Sequence, residues 1–238
     1  MKIKLKILRH QVDSINAVKN VFKNIKLKNG KDIYQNPIFD PKDNKFIENI
    51  QKIQNGDIEG LKKINVPKKF DNSSKKEKEE KKLEYEPLVI DVKMETGTGK
   101  TYCYTRMMYE LHKDYGFNKF IILVPSTPIK EGTKNFILSD YSKEHFNDIY
   151  KESYLKLEVL NAIKNSKKRR KIFPQSVSDF ARGSSLEKNR INCLLMTDKM
   201  LISEATMENE YDQVLFGNYS IPYNVLKNVK NILRGMYG

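Results

Sequence analysis

The sequence predicts an α/β fold with a mostly parallel sheet. Apolar runs of strand length alternate along the chain with segments whose apolar residues recur at helical spacing. Strands that alternate with helices are typical of βαβ units, in which a crossover helix makes neighbouring strands parallel. The chain has 238 residues, which is enough for one large domain or two small ones with a buried core.

The amino-terminal region predicts a strand, a helix and then a charged stretch. Aliphatic and lysine side chains alternate over residues 2–8, as in a half-buried strand. A helical stripe follows and ends before the turn at Asn29-Gly30; its members are Val12, Ile15, Val18, Phe22 and Ile25. Residues 30–66 are broken by turn formers and give no firm assignment. Residues 68–82 are almost free of aliphatic side chains and predict a solvated linker or insertion.

The chain after residue 86 predicts the sheet itself. Buried strands are expected at residues 87–94 and 119–124, residues 154–160 alternate like a strand, and residues 191–197 are a further apolar run. A helix is expected between the first two strands, ending at Gly116, with a stripe formed by Tyr104, Met107, Met108, Leu111 and Tyr115. A second helix is expected to begin at Pro128, with Thr127 as its cap.

The charge balance favours an anionic partner. The chain has 44 Lys+Arg and 30 Asp+Glu, a formal net charge of +14, which favours nucleic acid first and an anionic membrane second. Residues 164–171, KNSKKRRK, are either a solvated loop or a DNA-facing patch. Two cysteines and no apolar run near the ~20 residues of a membrane span predict a cytoplasmic protein. The three histidines have no partner at metal-ligand spacing, so no zinc site is expected.

Residues 94–101, METGTGKT, form the most informative motif and lie between a predicted strand and a predicted helix. Glycines in such a turn let backbone N–H groups point at phosphates, and the helix start adds the positive end of its dipole. Lys100 would reach the terminal phosphates as the catalytic candidate, and the Thr101 hydroxyl would bind Mg²⁺. The predicted ATP-binding residues in this turn are Glu95, Thr96, Gly97, Thr98, Gly99, Lys100 and Thr101. An ordinary strand–turn–helix corner is the alternative.

Residues 94–132 resemble the first motor motifs of the Res subunit of type III restriction–modification enzymes. In that family METGTGKT is followed by a helix, a strand and a VPSxxIKEG segment, and residues 124–132 here are VPSTPIKEG. The strict phosphate-loop pattern has glycine where this chain has Met94, a departure that superfamily 2 helicases share. The resemblance implies a partial RecA-like lobe of an ATP-dependent DNA translocase or switch. It also implies a carboxy-terminal nuclease and a Mod subunit that recognises the DNA site and methylates adenine.

The resemblance also implies roles for residues outside the loop. Gln11, at the start of the first helix, is similar to the helicase glutamine that reads adenine, because an amide offers both a donor and an acceptor. A surface glutamine at a helix start is the alternative. Residues 125–132 resemble the segment that holds the DNA backbone, with Pro125, Ser126, Thr127 and Lys130 as the DNA-binding candidates. A Thr-Pro helix cap without a ligand is the alternative there.

Hydrolysis in this superfamily needs an Asp-Glu pair at the end of a strand, and the chain contains no adjacent Asp-Glu. The sequence is therefore expected to be the amino-terminal part of a Res subunit, without hydrolysis or nuclease activity of its own. Its expected regions are a strand and helix with Gln11 (1–29), a charged insertion (30–86) and an incomplete RecA-like motor lobe (87–238). A stand-alone ATP- and DNA-binding module, or a fragment of another superfamily 2 DNA or RNA helicase, are the alternatives.

Overall fold

The computed structural model describes residues 5–30, 33–40, 43–57, 90–161 and 174–202. As far as those residues go, the chain divides into two compact units. The helical unit is drawn from Ile7–Lys28 and Ile38–Tyr104, and the sheet unit from Met1–Lys6, Asn29–Pro37 and Thr105–Gly238. No helix in the described ranges has both the length and the apolar character needed to cross a membrane.

The helical unit contains α1 (Arg9–Val21) and α2 (Asn44–Asn55), held together by aromatic side chains. Phe22, Phe39 and Phe46 pack edge to face, with ring centroids 5.4 to 5.7 Å apart. The Asn49 amide on α2 donates to the carbonyls of Val21 and Lys23, at 3.0 and 2.9 Å. It thereby satisfies acceptors at the end of α1 that no intrahelical donor reaches.

The helix after the glycine-rich turn, α3 (Lys100–Tyr115), has its first five residues in the helical unit and the rest in the sheet unit. Within the sheet unit it is anchored to α5 (Asp140–Tyr150). The Tyr150 hydroxyl donates to Glu110 Oε1 at 2.7 Å, and Arg106 Nε donates to the Tyr150 oxygen at 3.2 Å. Tyr109 stacks on Phe146 at 4.9 Å, and its burial raises the pKa of Tyr109 to about 12.

The described residues of the sheet unit form three parallel strands in the order β1-β3-β2, namely β1 (Lys119–Val124), β2 (Tyr154–Val159) and β3 (Arg190–Thr197). α4 (Thr127–Leu138) and α5 connect β1 to β2, α6 (Gln175–Ala181) precedes β3, and α7 (Asp198–Ile202) follows it. Residues 191–197 of the central strand are all buried. Burial raises the pKa of the Cys193 thiol in the middle of that strand. The predicted α/β fold with a parallel sheet is confirmed.

Two predicted strands are wrong where the structure describes them. Residues 5–8 and 90–94 have no strand structure, and Ile7 and Val92 are 44% and 47% exposed. Apolar and polar residues alternate over 5–7 and 90–94, but a strand also needs a neighbour to bond with, and these residues carry no ladder bonds. The remaining parts of the two predictions, residues 2–4 and 87–89, lie outside the described residues, as do 68–82 and 164–171.

The helix boundaries also differ from the predicted ones. α1 stops at Val21, and Phe22 and Ile25, predicted on its stripe, are buried just beyond its end. Residues 44–55, left unassigned by the sequence, form α2. Ser126, rather than Thr127, is the N-cap of α4, so that Pro128 takes the second helical position. Proline fits there because the first-turn N–H groups of a helix have no partner within the helix.

Candidate nucleotide-binding site

The phosphate-binding loop, residues 94–101, is a glycine turn that leads directly into α3. Gly97 and Gly99 have positive φ of 81° and 86°, a backbone conformation that side-chain-bearing residues rarely adopt. Between them, the Thr98 hydroxyl donates to the Glu95 carbonyl at 2.7 Å and closes the turn. Cys103 N donates to Gly99 O at 3.0 Å, which makes Gly99 the residue at which the helical hydrogen bonding starts.

This geometry suits an anion with several oxygens. Turns that combine left-handed and other backbone conformations point successive N–H groups to one side. A helix start adds N–H groups that the helix itself does not satisfy, together with the positive end of the dipole. Glu95, Thr96, Gly97 and Lys100 are exposed to solvent, and a Cβ built at Gly97 would meet no atom within 4 Å. The loop is therefore open to a ligand.

The amino-terminal turn of α1 contacts this loop within the helical unit. Gln11 is 5% exposed, and its Nε2 donates to the Thr98 carbonyl at 3.1 Å. His10 Nε2 lies 3.1 Å from the same oxygen and donates to it in the tautomer with the proton on Nε2. A further contact joins Ser14 Oγ on α1 to Cys103 Sγ on α3, at 3.8 Å. Gln11 and the loop, 87 residues apart in sequence, are thus brought together in space.

The sequence analysis assigned no role to His10, yet its side chain contacts the phosphate-binding loop. The residue stands beside Gln11 in the first turn of α1, where neighbouring side chains reach the same loop. Its position next to a candidate site residue was the only available signal. Thr101 is half-buried at the second position of α3, where its residue type fits a Mg²⁺ ligand. Among the described residues, no cluster of His, Cys, Asp and Glu could hold a metal ion by itself.

The other candidate segment, residues 125–130, belongs to the sheet unit and follows β1. Pro125 and Thr127 are exposed, and Ser126 caps α4 through its backbone without a side-chain capping bond. Lys130 differs from the other three, because it is only 3% exposed. Its ammonium donates to Leu160 O at 3.2 Å and to Asn161 Oδ1 at 3.0 Å, both just beyond the end of β2.

Comparison with known proteins identifies the family of this chain. Residues 4–221 match the family described as "Type III restriction enzyme, res subunit". The chain belongs to this Res subunit family. This assignment confirms the resemblance found in residues 94–132 and favours the restriction-enzyme interpretation over that of a general superfamily 2 helicase fragment.

Three Res subunits are similar to this chain. The EcoPI Res subunit of Escherichia phage P1 is 36% identical over 235 residues, which cover 94% of this chain and 22% of that protein. The StyLTI Res subunit of Salmonella typhimurium is 43% identical over 145 residues, 60% of this chain and 15% of that protein. The EcoP15I Res subunit of Escherichia coli is 43% identical over 144 residues, with the same two coverages. The chain spans less than a quarter of the length of these Res subunits.

Proposed function

We propose that this chain binds Mg·ATP in the phosphate-binding loop and serves as the nucleotide-binding motor part of a type III restriction enzyme Res subunit. The observation that carries the proposal is the loop itself. Gly97 and Gly99 hold left-handed conformations on either side of Thr98, and a helix of 16 residues starts at once behind them. Such a turn at a helix start is a site for the phosphates of a nucleotide.

The residues around the loop have complementary roles in this proposal. Lys100, exposed at the first position of α3, reaches the terminal phosphates and is the catalytic candidate of the complete enzyme. The Thr101 hydroxyl would bind Mg²⁺, which would supply positive charge to the phosphate oxygens. Glu95, Thr96 and the two glycines complete the binding loop, and Gln11 contributes from α1.

The segment after β1 is the proposed contact with double-stranded DNA. Backbone N–H groups at the start of α4 and the Ser126 and Thr127 hydroxyls suit a DNA phosphate, beside the rigid Pro125. In this proposal Lys130 supports the segment by holding α4 against the end of β2, because its ammonium is bonded inside the sheet unit. The net charge of +14 favours the same polyanion.

In the complete cytoplasmic complex, this ATP-binding part would couple nucleotide binding and hydrolysis to DNA translocation and endonuclease cleavage, together with a Mod methyltransferase subunit. The chain taken alone binds nucleotide without turning it over, because its sequence has no adjacent Asp-Glu to hold Mg²⁺ and orient the attacking water. Residues 1–29, 30–86 and 87–238 remain the proposed division into adenine-side segment, charged insertion and motor lobe.

The test is equilibrium binding of Mg·ATP to the purified chain, followed by ATP hydrolysis with and without duplex DNA. Lys100→Ala is expected to weaken binding by about a hundredfold, because it removes the cation nearest the terminal phosphates. Lys113→Ala is the matched control, since it removes an exposed lysine from the last turn of the same helix. Equal affinities of wild type and Lys100→Ala would contradict the proposal. DNA-stimulated hydrolysis would show that the chain supplies a water-orienting carboxylate elsewhere.

A further inference from the structure

We propose that Gln11 is a positioning residue of the phosphate-binding loop, which supports polyphosphate binding through the Thr98 carbonyl whatever base the nucleotide carries. The inference rests on the proposed function of the loop and deepens it. It also departs from the adenine-reading role that the resemblance implies, because it assigns the Gln11 amide to the protein backbone.

Both ends of the Gln11 amide are already bonded to main-chain atoms. Nε2 donates to Thr98 O at 3.1 Å, and Oε1 accepts from Leu8 N at 3.3 Å. The second bond is the reciprocal contact that a glutamine at the third helical position makes with the residue before the helix. It fixes the direction of the amide, so that the donor faces the loop. These two main-chain bonds therefore set the orientation of the amide, although each end keeps one further donor or acceptor site.

The atom that Gln11 holds is the one that matters for the shape of the loop. A loop that binds phosphate through its N–H groups has to turn the carbonyls between them away from the ligand. The Thr98 carbonyl lies between the two left-handed glycines and is held from α1 by Gln11 and His10. A Cβ built at Gly99 would lie 2.5 Å from Gln11 Nε2, so the two residues are in close contact.

Burial supports the same assignment. Gln11 is 5% exposed, and Gln11, Ile15 and Val18 share the buried face of α1 at spacings of four and three. A polar side chain on a buried face is expected to have hydrogen-bond partners, and here the partners are Thr98 O and Leu8 N. The amide therefore belongs to the packing of α1 against the loop.

The experiment compares three ligands in the presence of Mg²⁺: ATP, GTP and inorganic tripolyphosphate, which has no base. Gln11→Met keeps the length and burial of the side chain but removes both hydrogen bonds. It is expected to weaken the binding of all three ligands by about fivefold, the effect of one neutral hydrogen bond, and to leave the ratio of the ATP and GTP affinities unchanged. Gln51→Met, at an exposed position of α2, is the matched control.

The outcomes separate this inference from the proposed function. A loss confined to ATP means that Gln11 reads adenine, and unchanged binding of all three ligands means that it does not position the loop; each result overturns the inference. Wild-type affinity for tripolyphosphate that Lys100→Ala leaves unaltered overturns the proposed function instead. If Gln11→Met does not fold, the side-chain amide resonances of Gln11 in the wild type decide. They are expected to shift with tripolyphosphate as they do with ATP, and a shift with ATP alone overturns the inference.

Discussion

The two candidate phosphate-binding segments of this Res family member use their lysines in opposite ways. In the phosphate-binding loop, Lys100 is exposed at the start of α3, and the backbone of the loop is supported by side chains from α1. In residues 125–130, Lys130 is 3% exposed, and its ammonium is bonded to the protein itself. In the first segment a lysine is available to a ligand, and in the second a lysine stabilises the fold.

The difference follows from the helical position of each lysine. The buried residues of α4 are Lys130, Thr133 and Ile137, which are spaced by three and four residues and so share one face of the helix. A lysine on such a face has to bring its charge to acceptors inside the fold, because an unpaired buried charge is costly. Lys100 is the first residue of α3, so no preceding turn of helix covers its side chain. Residue type alone therefore does not distinguish a ligand contact from a structural one.

The largest expected effect is the difference in stability between alanine substitutions of the two lysines. Lys130→Ala removes a buried stem and two hydrogen bonds, and is expected to lower the free energy of unfolding by about 2–3 kcal/mol. Lys100→Ala is expected to leave that free energy close to the wild-type value while it weakens nucleotide binding by about a hundredfold. Urea unfolding of both variants measures the two free energies of unfolding. Wild-type stability of Lys130→Ala would mean that this lysine is not held inside the sheet unit, which would favour its direct contact with DNA.

A matched pair of glycines gives the next effect. Gly99→Ala places a Cβ at a left-handed φ of 86° and 2.5 Å from Gln11 Nε2. It is expected to weaken Mg·ATP binding by about tenfold and to lower the free energy of unfolding by about 1–2 kcal/mol. Gly132→Ala lies within α4 with nothing inside 4 Å of the new Cβ, and is expected to raise that free energy by about 0.5–1 kcal/mol. Binding and melting curves of the two variants are the measurement. Unaltered binding by Gly99→Ala would show that the loop does not need its left-handed turn.

The structure contains strands at three of the predicted positions, residues 119–124, 154–159 and 190–197. Residues 119–124 and 191–197 were predicted closely, and the second run is buried along its whole length and mostly apolar, as expected of the central strand of a parallel sheet with both faces covered. Residues 90–94 alternate apolar and polar side chains, yet Asp91, Val92 and Lys93 are all exposed. Such alternation describes a strand with one buried face, but it contains no information about whether a neighbouring strand exists.

The candidate site could be predicted in part for the same kind of reason. The glycines of the phosphate-binding loop are visible in the sequence because the backbone conformation itself requires them. The Gln11 contact to Thr98 joins residues 87 apart, and no local pattern shows which carbonyl a side chain will meet. The inward direction of Lys130 was in principle visible, since its spacing from Thr133 and Ile137 places it on the buried stripe of α4.

The smallest expected effect concerns one hydroxyl group from each segment, those of Thr98 and Ser126. The Thr98 hydroxyl is bonded within its loop to Glu95 O at 2.7 Å, whereas the Ser126 hydroxyl makes no capping bond to α4. Thr98→Ala is therefore expected to lower the free energy of unfolding by about 1 kcal/mol, the contribution of one hydrogen bond. Ser126→Ala is expected to leave the free energy of unfolding unchanged, although loss of a bonded serine cap commonly costs about 1 kcal/mol. Thermal unfolding of the two variants measures the difference.

Binding of duplex DNA by Ser126→Ala completes this test. The wild-type affinity is expected to fall steeply as salt rises, because phosphate contacts release counterions. Ser126→Ala is expected to weaken binding by about twofold to fivefold at every salt concentration. The slope against salt should stay the same, since a neutral hydroxyl displaces no counterion from the phosphates. A wild-type affinity that is flat between low and physiological salt would contradict the DNA contact. If Ser126→Ala instead lowers stability as much as Thr98→Ala, the hydroxyl has a structural role, and the difference between the two segments is confined to their lysines.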